Sequence, residues 1–495
     1  MTRTIGGYII ELNHGVVCVK RSDREETTMP FTEFKTDDRL LNYDIFPKVL
    51  VKNKPARIRI RSLGARPIFE SGKTYDALIC ALEGGKPYDY PASGDFKEIK
   101  LTCDDEGGFT VEHTFTKEQM YFIRFLDDNG KKKIDFPVYC VDEDLAGRYP
   151  LRGDLHMHTI RSDGSQTPEV VCANYRKHGL DFMVVSDHNR YYPSLEAIDF
   201  YKDVPCGLTI VPGEEVHMPD VKGVECDFHT VNFGGEYSIN ALTDGPAVNE
   251  KGTDKKYRSL NGECPDYMPL EEWQNKMLEL AEKENAPDGV DRIPAAVFKW
   301  LYGEIRKSGG LAIFPHPTWI SDVYHVPFAF WNYVVENKYF DAFEVLGGEN
   351  YYEQNGFQAL KYYEDRALGY DYPVVGSTDS HSSNPSNRNA FICSTLVFSA
   401  ENERKALIEA IKERYSVAID TIDENFRLVG HLRLAKYSTF LLKEYFPLHD
   451  ELCKEEGRLM KQVATGTPEE KEEALKVLSL IGDRVQKHRE KYFDF

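Results

Sequence analysis

The 495-residue sequence predicts an α/β protein: a seven-stranded β/α barrel that follows an all-β region and precedes a helical extension. Three observations predict it. Short β-type runs separated by turn signals fill residues 1–148. From about residue 151, strand runs alternate with helical stretches, the pattern of a barrel whose functional loops leave the strand C-termini. Beyond residue 418 a charged helical pattern takes over.

In chain order, the first region holds runs such as Val16-Val17-Cys18-Val19, Ala56-Arg57-Ile58-Arg59-Ile60 and Met120-Tyr121-Phe122-Ile123-Arg124-Phe125. Asp127-Asp128-Asn129-Gly130 is a hairpin signal before Lys133–Val138. No long helical period interrupts them, so residues 1–148 read as an all-β accessory domain of sandwich type. The acidic Asp142-Glu143-Asp144 ahead of Gly147-Arg148-Tyr149-Pro150 reads as the linker.

Residues 149–418 read as the barrel, with strands expected at 151–157, 180–186, 207–212, 226–232, 310–315, 341–346 and 373–378. Thr167-Pro168-Glu169 supplies a cap, a proline at the first helical position and an early acid, and Gly179 ends that helix. The interval 234–295 is unusually long and reads as an insertion with one helix over Glu271–Glu284, expected to shape a lid or pocket. Glu401–Tyr415 is an amphipathic helix. The extension 419–495 predicts helices over Lys436–Phe446, Asp450–Val463 and Pro468–Tyr492. Their apolar faces must pack on the barrel or on a second copy of the chain, which makes a homo-oligomer through these helices an expectation.

Composition narrows the function. A formal net charge of −20 disfavours a nucleic-acid partner held through its backbone. No apolar stretch is long enough to span a bilayer, and the first residues lack a signal-peptide core. Ten scattered cysteines with no C-x-x-C pair fit a reduced, cytoplasmic protein.

The chemistry is written at the ends of the apolar runs. Asp154-Leu155-His156-Met157-His158 is followed by Asp163. Then come Ser186-Asp187-His188, Gly213-Glu214-Glu215, Phe228-His229, Phe314-Pro315-His316-Pro317 and Thr378-Asp379-Ser380-His381. His156 and His158 are two apart, so on a strand both face one side. Glu214 and Glu215 are adjacent and point oppositely, so one of them reaches any metal while the other is solvated or supports it. Each motif alone is weak. Nine of the 14 histidines lie between His156 and His381, however, and most end apolar runs, which unrelated core histidines would not do. Strand ends that present His, Asp and Glu gather ligands for divalent cations.

H-x-H-x4-D in a Ser-Asp-Gly context, Ser-Asp-His-Asn, Gly-x-Glu, Phe-Pro-His-Pro and Ser-Thr-Asp-Ser-His together resemble the PHP (polymerase and histidinol phosphatase) superfamily over roughly residues 151–418. The resemblance implies a distorted (β/α)7 barrel with two or three divalent ions, Zn, Mn or Fe. It assigns His156, His158, Glu215 and Asp379 to a first ion, and the Gly-x-Glu register favours Glu215 over Glu214. Glu215 would bridge to a second ion completed by His229 and His316. Asp163, His188 and His381 would hold a third.

Such a centre would activate a bridging hydroxide for in-line attack on a small phosphorylated metabolite. Asp187 or His381 would assist proton transfer, and Arg161, Arg190 and Arg388 are candidate phosphate partners. The alternatives are hydrolysis of a C–N or ester bond, and a non-catalytic metal-stabilised binding module.

Overall fold

Alternating burial builds the N-terminal sheets. Along Gln119–Leu126 every second side chain is buried, and along Pro55–Ser62 Ala56, Ile58 and Ile60 point inward. A period of two with one buried face pins strand register. The result, in a computed structural model, is a five-stranded sheet and a three-stranded sheet. The first runs in the order Val49–Val51, Lys132–Val141, Gln119–Leu126, Thr74–Ala81, Phe96–Thr102. The second runs Tyr43–Phe46, Pro55–Ser62, Phe109–Thr114. They share one aromatic core, in which the Phe69 ring lies 4.8 Å from both Phe109 and Phe125. The structure describes residues 38–63, 69–84, 96–226, 228–243, 258–347, 352–385, 390–421 and 427–495. It also describes the backbone of the strands Thr2–Ile5, Tyr8–Asn13 and Val16–Arg21.

The expected hairpin forms: Asp127 accepts from the backbone N–H of Asn129 and Lys131, and Gly130 takes the positive φ of +74° that the turn needs. The expected linker is not loose. Leu145 is fully buried in a core with Leu396, Phe398 and Phe440, and Asp144 pairs with Arg433. One apolar residue among acids is enough to anchor the segment.

Two further sheets follow. One has the order Thr209–Val211, Phe182–Val184, Tyr149–Asp154, Cys393–Ser399, Ser416–Asp420, Arg427–Val429. The other has the order Gly213–Val216, Thr230–Phe233, Leu311–Phe314, Ala342–Leu346, Val374–Gly376. The chain passes from one to the other across Pro212. At their C-terminal ends they are stitched together. The Glu215 N–H donates to the Ser186 carbonyl (3.1 Å), the Asp379 N–H to the His156 carbonyl (2.8 Å) and the His158 N–H to the Ser380 carbonyl (2.9 Å). Leu155, Val184, Val231, Ile313 and Val375, drawn from both sheets, fill one core.

The strand expected at 226–232 lies at Thr230–Phe233 and runs antiparallel to both its neighbours. A parallel crossover normally carries a helix, and the described residues of 217–229 hold none, so the chain turns back instead. The helix of the long interval, Leu270–Glu282, buries Trp273 and Met277, and Trp273 meets Trp300 at 5.8 Å. Residues 244–257 of that interval lie outside the described residues.

The C-terminal helices are Leu432–Glu444, Phe446–Thr465, Pro468–Ile481 and Arg484–Tyr492. The expected last helix is thus split at Gly482-Asp483. Phe446–Thr465 packs on Pro168–Lys177 at Gly457, where a Cβ would sit 2.1 Å from the Lys177 nitrogen. Beside that contact the fully buried Arg176 pairs with Asp181 (3.0 Å) and Glu456 (3.1 Å). The last helix returns to the N-terminal sheets, where the Tyr492 hydroxyl donates to Asp44 (2.6 Å). No described helix is long and apolar enough to cross a membrane.

Candidate metal centre

The stitching at the strand ends brings the scattered motifs together. Asp154 is buried and accepts from the Thr378 N–H (3.1 Å), the Thr378 hydroxyl (2.6 Å) and the His156 N–H (3.1 Å), which locks the two ligand-bearing turns in register. His156 Nε2 then lies 3.4 Å from Glu215 Oε2 and 3.3 Å from Asp379 Oδ1. His158 Nε2 lies 3.5 Å and 2.9 Å from the same two oxygens. Bonds of about 2.0–2.1 Å in a tetrahedron put ligand atoms roughly 3.3 Å apart, so this quartet has the dimensions of a cation site.

Glu215 faces two ways. Its Oε1 lies 2.8 Å from His229 Nδ1 and 3.3 Å from His316 Nε2. On the open side, Asp163 Oδ2 lies 3.6 Å from His188 Nε2 and 3.3 Å from His381 Nε2, with His158 in the same group. Nine side chains expected from the sequence to be ligands therefore converge in three overlapping groups.

Their polar atoms lack ordinary partners. His156 Nε2, Glu215 Oε2 and His229 Nδ1 are buried with no hydrogen bond, although each has a complementary atom within 2.6–3.5 Å. Burying such atoms unsatisfied is costly, and a cation between them removes the cost. The donor set therefore fits divalent ions. His316 (φ +25°) and Asp379 (φ +46°) also hold backbone conformations that non-glycine residues rarely adopt, strain of the kind stored at functional sites.

The electrostatics divide the imidazoles: against burial, nearby carboxylates raise His156, His188, His316 and His381 above the usual histidine value, so a cation would displace protons there. Burial alone would raise Glu215, but the imidazoles of His229, His156 and His188 hold its carboxyl well below the usual range. Asp379 is lowered in the same way, against burial, by His156 and His158. Burial pushes His158 down to about 4 and His229 to about 3, so both are neutral at pH 7 and offer a lone pair.

Several assignments change. Asp187 is engaged elsewhere rather than placed for proton transfer. It is buried and accepts from the N–H and hydroxyl groups of both Thr159 and Ser162, so it holds the loop that carries Asp163. Arg161 does not stand toward a phosphate, because its guanidinium forks onto Glu196. Arg190 is half-buried on the turn after His188, and Arg388 lies outside the described residues. Glu214 is not solvated. Fully buried, it accepts from Ser238 (2.9 Å), Asn240 (2.9 Å) and the Ile239 N–H (2.5 Å), anchoring the start of the long interval.

Two residues join the site that the ligand motifs did not single out for it. Glu344 Oε2 lies 3.0 Å from His156 Nδ1. Its signal was an acid inside the apolar strand Ala342–Leu346, where every residue is buried. His217 Nε2 lies 2.9 Å from His188 Nδ1. It sits two residues after Glu215 and so faces the same way.

Three solved structures are similar to this chain. One is a two-domain protein from Bacteroides vulgatus containing a predicted PHP-like metal-dependent phosphoesterase, 18% identical, with a TM-score of 0.36. The match covers 55% of this chain and 65% of that one, so the chain spans just under two-thirds of its length. A candidate metal-dependent phosphoesterase from Bifidobacterium adolescentis is 16% identical over 46% of this chain and 87% of its own, with a TM-score of 0.29. An amidohydrolase from Chromobacterium violaceum, with bound sulfate and no metal, is 15% identical over the same shares, with a TM-score of 0.27. No family model and no curated relative matches the chain. The chemistry therefore rests on this chain's own side chains.

Proposed function

We propose that this protein is a metal-dependent phosphoesterase acting on a small phosphorylated metabolite, with its site at the C-terminal mouth of a distorted seven-stranded β/α barrel. The observation that carries the reading is Glu215: one buried carboxylate whose two oxygens face different sets of imidazoles. A purely structural site closes around one ion with four ligands, whereas a shared carboxylate suits adjacent ions. Two or three divalent ions, Zn, Mn or Fe, would be held by His156, His158, Glu215 and Asp379, by Glu215, His229 and His316, and by Asp163, His188 and His381. When bound, they polarise a phosphoryl oxygen and lower the pKa of water toward neutrality.

The chain's residues do the rest. Four carboxylates, Asp163, Glu215, Glu344 and Asp379, set against three divalent ions would leave the mouth net positive, which suits a phosphate more than a neutral amide. Asp154 and Glu344 orient His156, and Asp187 holds the 159–163 loop. As the oxygen of water bonds to phosphorus, the ester P–O bond breaks and the departing alcohol takes up a proton. With Asp187 engaged, the attacking water would give up its proton at the open side, where Asp163 and His381 are 56% and 40% exposed. Cytoplasmic residence, a separate accessory domain at 1–148 and pairing of chains through the C-terminal helices belong to the same proposal.

Phosphate release over nucleotide and sugar phosphates tests it, with amide and carboxylic-ester panels alongside. A chelator is expected to abolish release, and Mn or Zn to restore it. Full metal-dependent activity in His156→Ala, or turnover of amides alone, overturns the reading.

A further inference from the structure

We infer that the cavity opening beside His229 is the leaving-group subsite of this centre and takes a planar aromatic group. The inference rests on the phosphoesterase reading for its chemistry and on separate observations for its shape. The cavity has a volume of about 540 Å³. That is far more than a phosphate needs and within the range of small-molecule sites. His229 belongs to both: its Nδ1 faces Glu215, and its ring lines the cavity. A phosphoryl group held at the cluster would direct its ester substituent into this space.

The walls are aromatic. The His325 ring lies 4.5 Å from His229, and Trp319 lies 5.9 Å from His229 and 5.5 Å from His325. Tyr324 continues the wall. Buried aromatic rings are ordinarily core, and Phe228 and Phe330, which form the buried floor of the cavity lining, belong to the core. Trp319, Tyr324 and His325 are not, since each is partly exposed on the cavity side of the chain. The hairpin Ile320–Ser321/Val323–Tyr324 also holds Ile320 and Val323 in the open, 50% and 74% exposed, next to the mouth. Exposed apolar side chains grouped beside a site mark a binding surface. The charged residues lining the cavity are Glu225 and Asp291, so a second phosphate is disfavoured there and a ring without negative charge is favoured.

The test uses the full chain loaded with Mn and two esters of similar leaving-group strength, phenethyl phosphate and butyl phosphate. A stacked ring contributes about tenfold or more in kcat/KM. Trp319→Leu and Tyr324→Ala are each expected to collapse that preference, with thermal unfolding checking that both variants fold. Phenethyl alcohol should bind the unmodified protein and bind both variants more weakly. Equal turnover of the two esters, or a preference unchanged in both folded variants, overturns the subsite while leaving the phosphoesterase reading intact. If neither ester is cleaved, the nucleotide and sugar phosphate panel decides the phosphoesterase reading, and the alcohol-binding comparison alone decides the subsite: binding that weakens in the variants supports it, and no binding overturns it.

Discussion

His156 Nδ1 lies 3.0 Å from Glu344 Oε2, and neither side chain is exposed. In a metal-loaded site the carboxylate would hold the ring proton at Nδ1 and leave the Nε2 lone pair facing Glu215 and Asp379. Such partners fix ring orientation and raise ligand basicity. Glu344→Gln is therefore expected to weaken metal affinity by about 10- to 100-fold. Competition against a chromogenic chelator measures it, and unchanged affinity would remove Glu344 from the site.

The adjacent acids Glu214 and Glu215 predict opposite phenotypes. Glu214→Ala strands the buried donors of Ser238, Ile239 and Asn240, at a cost of about 2–4 kcal/mol of stability, with bound metal retained. Glu215→Ala is expected to lose bound metal. Metal content per chain and denaturant unfolding, measured on both, separate the roles. Metal loss in the first variant would reassign Glu214.

Binding energy at the cluster should appear as stability. At a free ion concentration 100 times the dissociation constant, folding gains about 2.7 kcal/mol. Thermal unfolding of chelated protein is expected to rise on adding Mn, and the rise should disappear in His156→Ala. An equal rise in that variant would mean that the stabilising ion binds elsewhere.

The Asp181–His449 pair predicts a pH dependence away from the centre. His449 Nε2 lies 2.9 Å from Asp181 and Nδ1 2.9 Å from Asp450, with the Cys453 thiol beside the ring and His488 nearby. Burial alone would lower His449, but Asp181 and the neighbouring acceptors raise it well above the usual histidine value. Burial alone would raise Asp181, but His449 and Arg176 lower it. The histidine's contribution is thus complete below its unfolded pKa of about 6.5 and is lost as pH rises through its raised folded value. The aspartate's contribution is complete above about 3.9 and is lost as pH falls through its lowered folded value. His449→Ala should cost on the order of 3–5 kcal/mol near neutrality. Urea unfolding across pH 5 to about 9 should also lose the alkaline decline that this pair supplies. A variant with an unchanged pH slope would place the dependence on other groups.

Local signals read well from the sequence. The Asp127–Gly130 turn depends on residues that are neighbours in the chain, and the helix begins at Pro168 as expected, although the Thr167 hydroxyl makes no capping hydrogen bond. His156 and His158 do face the same carboxylates, although both lie just past the strand that ends at Asp154, where backbone bonds to Asp379 and Ser380 hold them. What escaped was long-range. The antiparallel return of Thr230–Phe233 depends on which strands flank it, and the burial of Leu145 depends on Phe398 and Phe440, far along the chain. Asp187, expected to assist proton transfer, instead turns its oxygens to a loop 25 to 28 residues earlier.

The sequence by itself determined which side chains can ligate and that they stand at the ends of apolar runs, because both follow from residue type and short-range periodicity. Only the tertiary structure decided that Glu214 is buried and anchors the chain beyond it, that Glu344 stands behind His156, and that an aromatic cavity opens beside His229. Each of these depends on strands separated by tens to hundreds of residues being brought side by side. The buried contacts between sheets set that arrangement, and no local pattern encodes it.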